Sequence, residues 1–154
     1  MSNPVIENIA LNILATVNSV VTPTYNQTLV GVRPRAVDFS DVAPVDGKVL
    51  IVAGEPRPGV DIAVNDTIEW IHPFALMALV IDPTGTATSI ETRYHQVRSD
   101  LEKAMMIDVT RGDYARMTKI LPPFSFDFSD GITGISVAVE ITYRTKESDP
   151  YTKM

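Results

Sequence analysis

A run of strict alternation near the C-terminus constrains this chain most. From Gly134 to Thr145, Ile135, Val137, Val139, Ile141 and Tyr143 fall on one side, and Ser136, Ala138, Glu140, Thr142 and Arg144 on the other. A period of two belongs to a strand, and a strand with one apolar face needs a layer packed against it. Two segments offer that layer. Val5, Ile6, Ile9, Ile13, Leu14, Val17, Val20 and Val21 recur at helical spacing, with Asn3 as the expected cap, Pro4 in the first turn and an end near Thr22-Pro23. Ile90, Tyr94, Val97, Leu101, Ala104 and Met105 mark a second helix, opened by Thr88 or Ser89 and followed by Gly112.

The remaining apolar segments read as strands. Leu29 to Phe39 is β-rich, with Pro34 demoting it to an edge. Val49 to Val52 is a second strand. Ile68 to Ile81 is a third, expected to break at His72-Pro73. Its later half, Phe74 to Ile81, is apolar at every position, as in a strand covered on both faces. Met117 to Phe128 is a further strand region, broken at Pro122-Pro123, in which Phe124, Phe126 and Phe128 share a face. Helix, three strands, helix, two strands predicts an α+β fold: a mostly antiparallel sheet with both amphipathic helices on one face. The expected organisation is a single domain over 1–145 and a polar C-terminal tail over 146–154.

Composition limits what such a domain does. The 154 residues suffice for one core. With no cysteine, disulfides and thiolate chemistry are excluded. The formal charge of −6 and the absence of any long Lys/Arg cluster argue against binding the phosphate backbone of nucleic acid. No segment approaches the unbroken apolar length of a membrane span. The N-terminus lacks the basic start of a secretory signal, which points to the cytosol of the producing cell.

No catalytic constellation emerges. His72 and His95 have no ligand-like spacing, so no metal is expected. There is no Gly-x-Ser-x-Gly and no phosphate-cradling glycine loop. Arg111-Gly112-Asp113 reads as the loop that ends the second helix. Asn26-Gln27-Thr28 and Asn65-Asp66-Thr67 match the glycosylation pattern but read as polar turns. An enzyme or ligand-binding domain would instead need convergent polar groups in a pocket, for which His72, Glu69 and Arg93 are the candidates.

Three pieces carry a resemblance. They are the opening helix Ile6 to Val21 leading to Arg33-Pro34, the central helix Ile90 to Ile107, and Val137 to Thr145 followed by Asp149-Pro150-Tyr151. In this order the chain resembles the tail terminator, or tail-completion, proteins of tailed bacteriophages. That resemblance implies a non-enzymatic structural protein of the virion neck, without cofactor. It implies a self-assembled ring, a hexamer, that caps the tail tube and offers the head-docking face. The implied partners are the tube protein, the head-completion or connector protein and a sheath, with DNA only passing through. A different connector or a tube subunit is the nearest alternative. The chain departs from the family in its proline-rich segment Asp38 to Gly59. The expected interface residues are Arg33, Arg35, Lys48 and Arg57, in or beside the loops Asp38 to Lys48 and Gly54 to Asp66, together with Asp149, Pro150 and Tyr151.

Overall fold

A computed structural model describes residues 2–34, 43, 45–59, 66–81, 87–129 and 132–154. Its frame is two 15-residue strands, β4 (Thr67–Ile81) and β7 (Ile132–Lys146). They run antiparallel in unbroken register, from Thr67 opposite Lys146 to Ile81 opposite Ile132. The alternation of β7 fixes this register, because a slip of one residue would turn Val137, Val139 and Ile141 out of the core. On the outer side of β4 lie β2 (Lys48–Ala53) and the two-residue β3 (Arg57–Pro58), both antiparallel to it. Beyond β2, β1 (Val30–Val32) pairs in parallel. The opposite side of β7 is shared end to end by β6 (Phe124–Ser129), β5 (Met117–Ile120) and β8 (Asp149–Lys153).

Two helices, α1 (Val5–Asn18) and α2 (Ala87–Ile107), complete an α+β fold with a mostly antiparallel sheet. Their apolar stripes meet one sheet face in a single cluster: Ile9, Ile13 and Val17 from α1, Val97, Leu101 and Met105 from α2, and Phe74, Leu76, Val137 and Val139 from the sheet. Burying one such Ile or Leu contributes about 1.5–3 kcal/mol, so this stripe rather than helix propensity holds α1 in place.

Several local expectations are corrected. Pro4, not Asn3, occupies the cap of α1, with no side-chain cap bond; its carbonyl accepts from the N–H groups of Glu7 at 3.0 Å and Asn8 at 3.1 Å. The helix stops at Asn18, short of Pro23. There the Asn18 side chain accepts from Gly31 N at 2.8 Å, and the Ser19 hydroxyl donates to Thr16 O at 2.6 Å. Thr88 and Ser89 fall inside the first turn of α2 rather than ahead of it.

Strand β4 does not break at His72-Pro73. The Pro73 carbonyl accepts from Gly54 N at 2.8 Å, on the side away from β7. Because a strand residue's N and C=O point to the same side, the missing N–H also faces that side, past the end of β2 and short of β3, and the ladder to β7 runs on unbroken. The full cover expected for Phe74 to Ile81 holds in part. Leu79 is wholly buried on the second face, but Ala75 and Met77 are only partly so.

The tail is not a free polar appendage. After a turn at Glu147-Ser148 the chain folds back as β8 against β7. Asp149 organises this turn, accepting from Tyr151 N at 3.0 Å and from the Thr152 hydroxyl. The Thr152 hydroxyl first, then the Tyr151 N–H, hold the Asp149 carboxyl below its ordinary pKa. Lys153 Nζ then reaches the Asp113 carbonyl at 3.1 Å, tying the chain end to the loop after α2.

Candidate interaction surface

The sheet face turned away from the helices is the main candidate. In the register of β2, β4, β7 and β6, Leu50, Met77, Ser136 and Phe124 lie side by side across it. Ala75 and Ala138 follow one step along. Neither described helix packs here; both belong to the cluster on the other face. Leu50, Leu79 and Ser136 are buried, whereas Phe124 is 55% exposed. The expectation that Phe124 and Phe126 belong to a core or an interface therefore resolves to this outer face, outside the helix-covered core.

Towards the other end of the same face, small residues give way to charge. Buried Glu69 on β4 accepts through Oε2 from Arg144 Nε at 2.9 Å and from Arg116 Nη1 at 3.0 Å. Arg57 Nη2 meets Glu140 Oε2 at 2.5 Å, and Lys119 stands opposite Glu140 in the β5–β7 register. A recess of about 380 Å3 opens among Glu69, Ile71, Arg116, Met117 and Thr142.

The residues expected to form the interface do not gather into one patch. Arg33 is engaged within the chain. Its guanidinium makes a two-pronged pair with Glu7 in the first turn of α1, at 2.6 and 2.9 Å. That hydrogen bond first, and the charge of Arg33 with it, hold the Glu7 carboxyl below its ordinary range against a smaller effect of burial. Lys48 Nζ donates to the Ala43 carbonyl at 2.7 Å. Arg57 lies on the charged outer face. Pro150 helps line a recess of about 230 Å3 with Ile6, Pro56, Trp70, Tyr143 and Thr145, while Tyr151 is exposed beside it. This recess brings together α1, the β2–β3 connection and the C-terminal strand, which are far apart in sequence. Arg35, and the loop segments 35–42, 44 and 60–65, lie outside the described residues.

The three residues named for an alternative ligand pocket do not converge. Glu69 is on the outer face with its two arginines. Arg93 Nη2 on α2 pairs with Asp46 Oδ2. His72 is on the helix-facing side, stacked on Phe74 with ring centroids 5.0 Å apart.

Neither nitrogen of the buried His72 ring has a hydrogen-bond partner among the described residues. Burial pushes its pKa below the ordinary 6.5, with a smaller opposing pull from Gly54 and Glu55. The imidazole is therefore neutral in the fold, and the unfolded chain takes up the proton first as pH falls. Stability is expected to be complete above the unfolded value near 6.5 and to decline as the pH drops below it. Urea midpoints of the parent and of His72→Phe between roughly pH 7 and 5 test this. The substitution should flatten that decline, and an unchanged slope would assign it to other groups.

Sequence reasoning missed the most constrained polar group, Arg111, which is fully buried beneath the loop it belongs to. Its Nη2 donates to the Met105 carbonyl at the end of α2, its Nε to the Thr118 hydroxyl at 3.1 Å, and its Nη1 reaches Asn12 Oδ1 and Thr16 Oγ1 on α1, each at 3.5 Å. Burial lowers the Arg111 pKa, and the nearby Asp108 carboxylate opposes that effect. Burial would raise Asp108, but bonds from the Thr110 hydroxyl and from the N–H groups of Gly112 and Thr110, with the Arg111 charge, hold it below its ordinary range. The loop after α2 is thus a latch between both helices and β5. Buried Asp100 plays a similar part, accepting from Asn26 Nδ2 at 3.0 Å and Gln27 N at 2.9 Å. The side chain of Asn26, within a glycosylation pattern, is thereby used inside the fold.

No protein-family model matches the chain, and no curated protein sequence matches it. Among the described residues no helix is long and apolar enough to cross a membrane.

Proposed function

We propose that the protein is a structural subunit of a bacteriophage tail, a tail terminator that closes into a six-membered ring. In this reading the ring caps the tail tube and presents the docking face for the head-completion or connector protein, with a sheath beside it and DNA passing through. Its place is then the virion neck. The observation that carries the reading is the outer sheet face, where Ala75, Met77 and Ala138 are only partly buried and Phe124 is exposed, with no described helix above them. A flat face of small and apolar side chains bounded by charge is what a neighbouring subunit covers in an assembly. The order of helix, strands, helix and strands is also the order that the resemblance implies. A ring built from one kind of subunit uses two different patches, head to tail. The outer face supplies one of them, and the end that carries Pro150 and Tyr151 supplies a candidate for the other.

Light scattering of the purified protein, alone and with tube protein, together with negative-stain images, tests the reading. Closed six-membered rings are the expected result. A strict monomer under both conditions refutes it, and open tubes would assign the chain to the tube instead.

A further inference from the structure

The recess beside the C-terminal strand holds polar groups that the fold itself does not use. Its walls are Ile6, Pro56, Trp70, Tyr143, Thr145 and Pro150, and none of the six is charged. Trp70 and Tyr143 stand opposite each other in the β4–β7 register. Tyr143 is only 6% exposed and Thr145 only 4%. Among the described residues, the Tyr143 and Thr145 hydroxyls and the Trp70 indole N–H have no hydrogen-bond partner. The described atoms that are sealed off without a partner lie elsewhere, on His72, Arg93, Thr133 and Ser136. The two hydroxyls therefore keep an opening, and the recess they line supplies it. Burial alone pushes the Tyr143 pKa up, so its hydroxyl stays protonated and able to donate.

At about 230 Å3 the recess is smaller than the roughly 300–1,000 Å3 of small-molecule sites, so it suits side chains rather than a cofactor. Aromatic and proline walls with free donors suit a prolyl segment. A proline ring packs on an aromatic face, brings no N–H of its own, and leaves carbonyls that accept from hydroxyl and indole donors. The chain itself displays such a segment. Pro122 and Pro123 are its only adjacent prolines, and they lie between Leu121 and Phe124. Leu121 N donates to Ala138 O at 2.9 Å and β6 starts at Phe124, so the segment is held at both ends. Pro122 and Phe124 are exposed. Within one chain the segment cannot reach the recess, because it is fixed beside Ser136 and Ala138 while the recess lies at Tyr143 and Thr145.

We propose that this recess is a docking site for Leu121-Pro122-Pro123-Phe124 of a second copy of this chain. The prolines pack on Trp70 and Tyr143, and the Tyr143 hydroxyl donates to a carbonyl of the segment. Adjacent prolines are already extended, so little conformational freedom is lost on docking. With no charged wall, the recess offers a phosphate or a charged peptide no ionic partner. Segment and recess are different patches, so the contact is head to tail. The proposal names the contact between neighbours and to that extent rests on the reading above, but docking of the segment does not require a closed ring.

The test uses the full chain carrying Pro122→Ala and Pro123→Ala, so that no neighbour's prolines fill the recess. It is titrated with a synthetic peptide of the parent sequence from Lys119 to Asp127. The readout is the NMR signal of the indole N–H of Trp70, the chain's only tryptophan. The same peptide with both prolines replaced by alanine is the control. A saturable shift is expected with the parent peptide alone. Adding Tyr143→Phe removes only an unpaired hydroxyl, so it should weaken binding about three- to tenfold and leave the unfolding midpoint in place. Light scattering should show the doubly substituted chain associating less than the parent. Equal binding of the two peptides overturns the docking site. So does a silent indole signal, or a Tyr143→Phe chain that binds as well as its parent. If the parent chain forms rings while Trp70 stays unmoved, the docking site is wrong and the ring reading stands. If Trp70 responds and the parent chain associates into open chains, the docking site stands and the ring reading falls.

Discussion

Arg111→Ala is expected to cost about 3–5 kcal/mol of folding stability, the range for deleting one member of a buried, hydrogen-bonded charged cluster. Three losses combine. The Met105 carbonyl at the end of α2 loses its donor in a place that water does not reach, and the Thr118 hydroxyl loses the Arg111 N–H while still donating to Val109 O at 2.8 Å. The contacts from this loop to Asn12 and Thr16 go as well, which loosens α1 against α2. Finally, Asp108 keeps its Thr110 and Gly112 bonds but loses the neighbouring positive charge. Arg111→Lys should recover little, because an ammonium cannot serve carbonyl, hydroxyl and amide from one planar fork. Urea unfolding of both variants decides it. A loss below about 1 kcal/mol in the alanine variant would mean that the latch contributes no more than an ordinary surface pair.

Gly134→Ala is expected to destabilise the protein by about 1–3 kcal/mol, although alanine normally fits a strand better than glycine. Gly134 stands opposite Leu79 at the centre of the sheet, with Phe126 as its neighbour on β6. A Cβ there would meet the Phe126 ring and stand 2.7 Å from the Ala78 carbonyl. The ring can turn, but the carbonyl belongs to the β4 backbone and cannot. The carbonyl of Gly134 also accepts from the Tyr94 hydroxyl at 2.5 Å, so a displaced β7 pulls on α2 too. Thermal unfolding gives the cost, and the near-ultraviolet signal of the aromatic residues reports whether Phe126 and Tyr94 have moved. A variant as stable as the parent would show that β6 yields without penalty.

Much of the frame was legible because local patterns carried it. Ile135, Val137, Val139, Ile141 and Tyr143 announced the buried face of β7, and all five are buried. Val97, Leu101, Ala104 and Met105 did the same for α2. The α+β class followed from the order of those patterns. The proline at position 73 misled, because propensity treats a lost N–H as the end of a strand, and only the sheet shows that this N–H faces away from β7, past the end of β2. The tail misled in the same way. Nothing in Asp149-Pro150-Tyr151 says that a turn will return it to β7.

The candidate site was less legible than the fold. Arg57 and Glu140 are 83 positions apart by their numbering, and Glu69 reaches Arg116 and Arg144 across 47 and 75 positions. No local pattern joins such residues; the β4–β7 register does. Arg111 reads as one exposed charge in a polar loop, and only the packing of two helices over that loop turns it into a buried latch. The sequence by itself determined the periodicities, and with them the elements and the face each one buries, because hydrophobic burial acts on spacing within a single segment. The tertiary structure alone decided which charges meet, how Pro73 is accommodated and which sheet face the described helices leave uncovered, because those outcomes depend on distances between segments that the order of residues leaves unspecified.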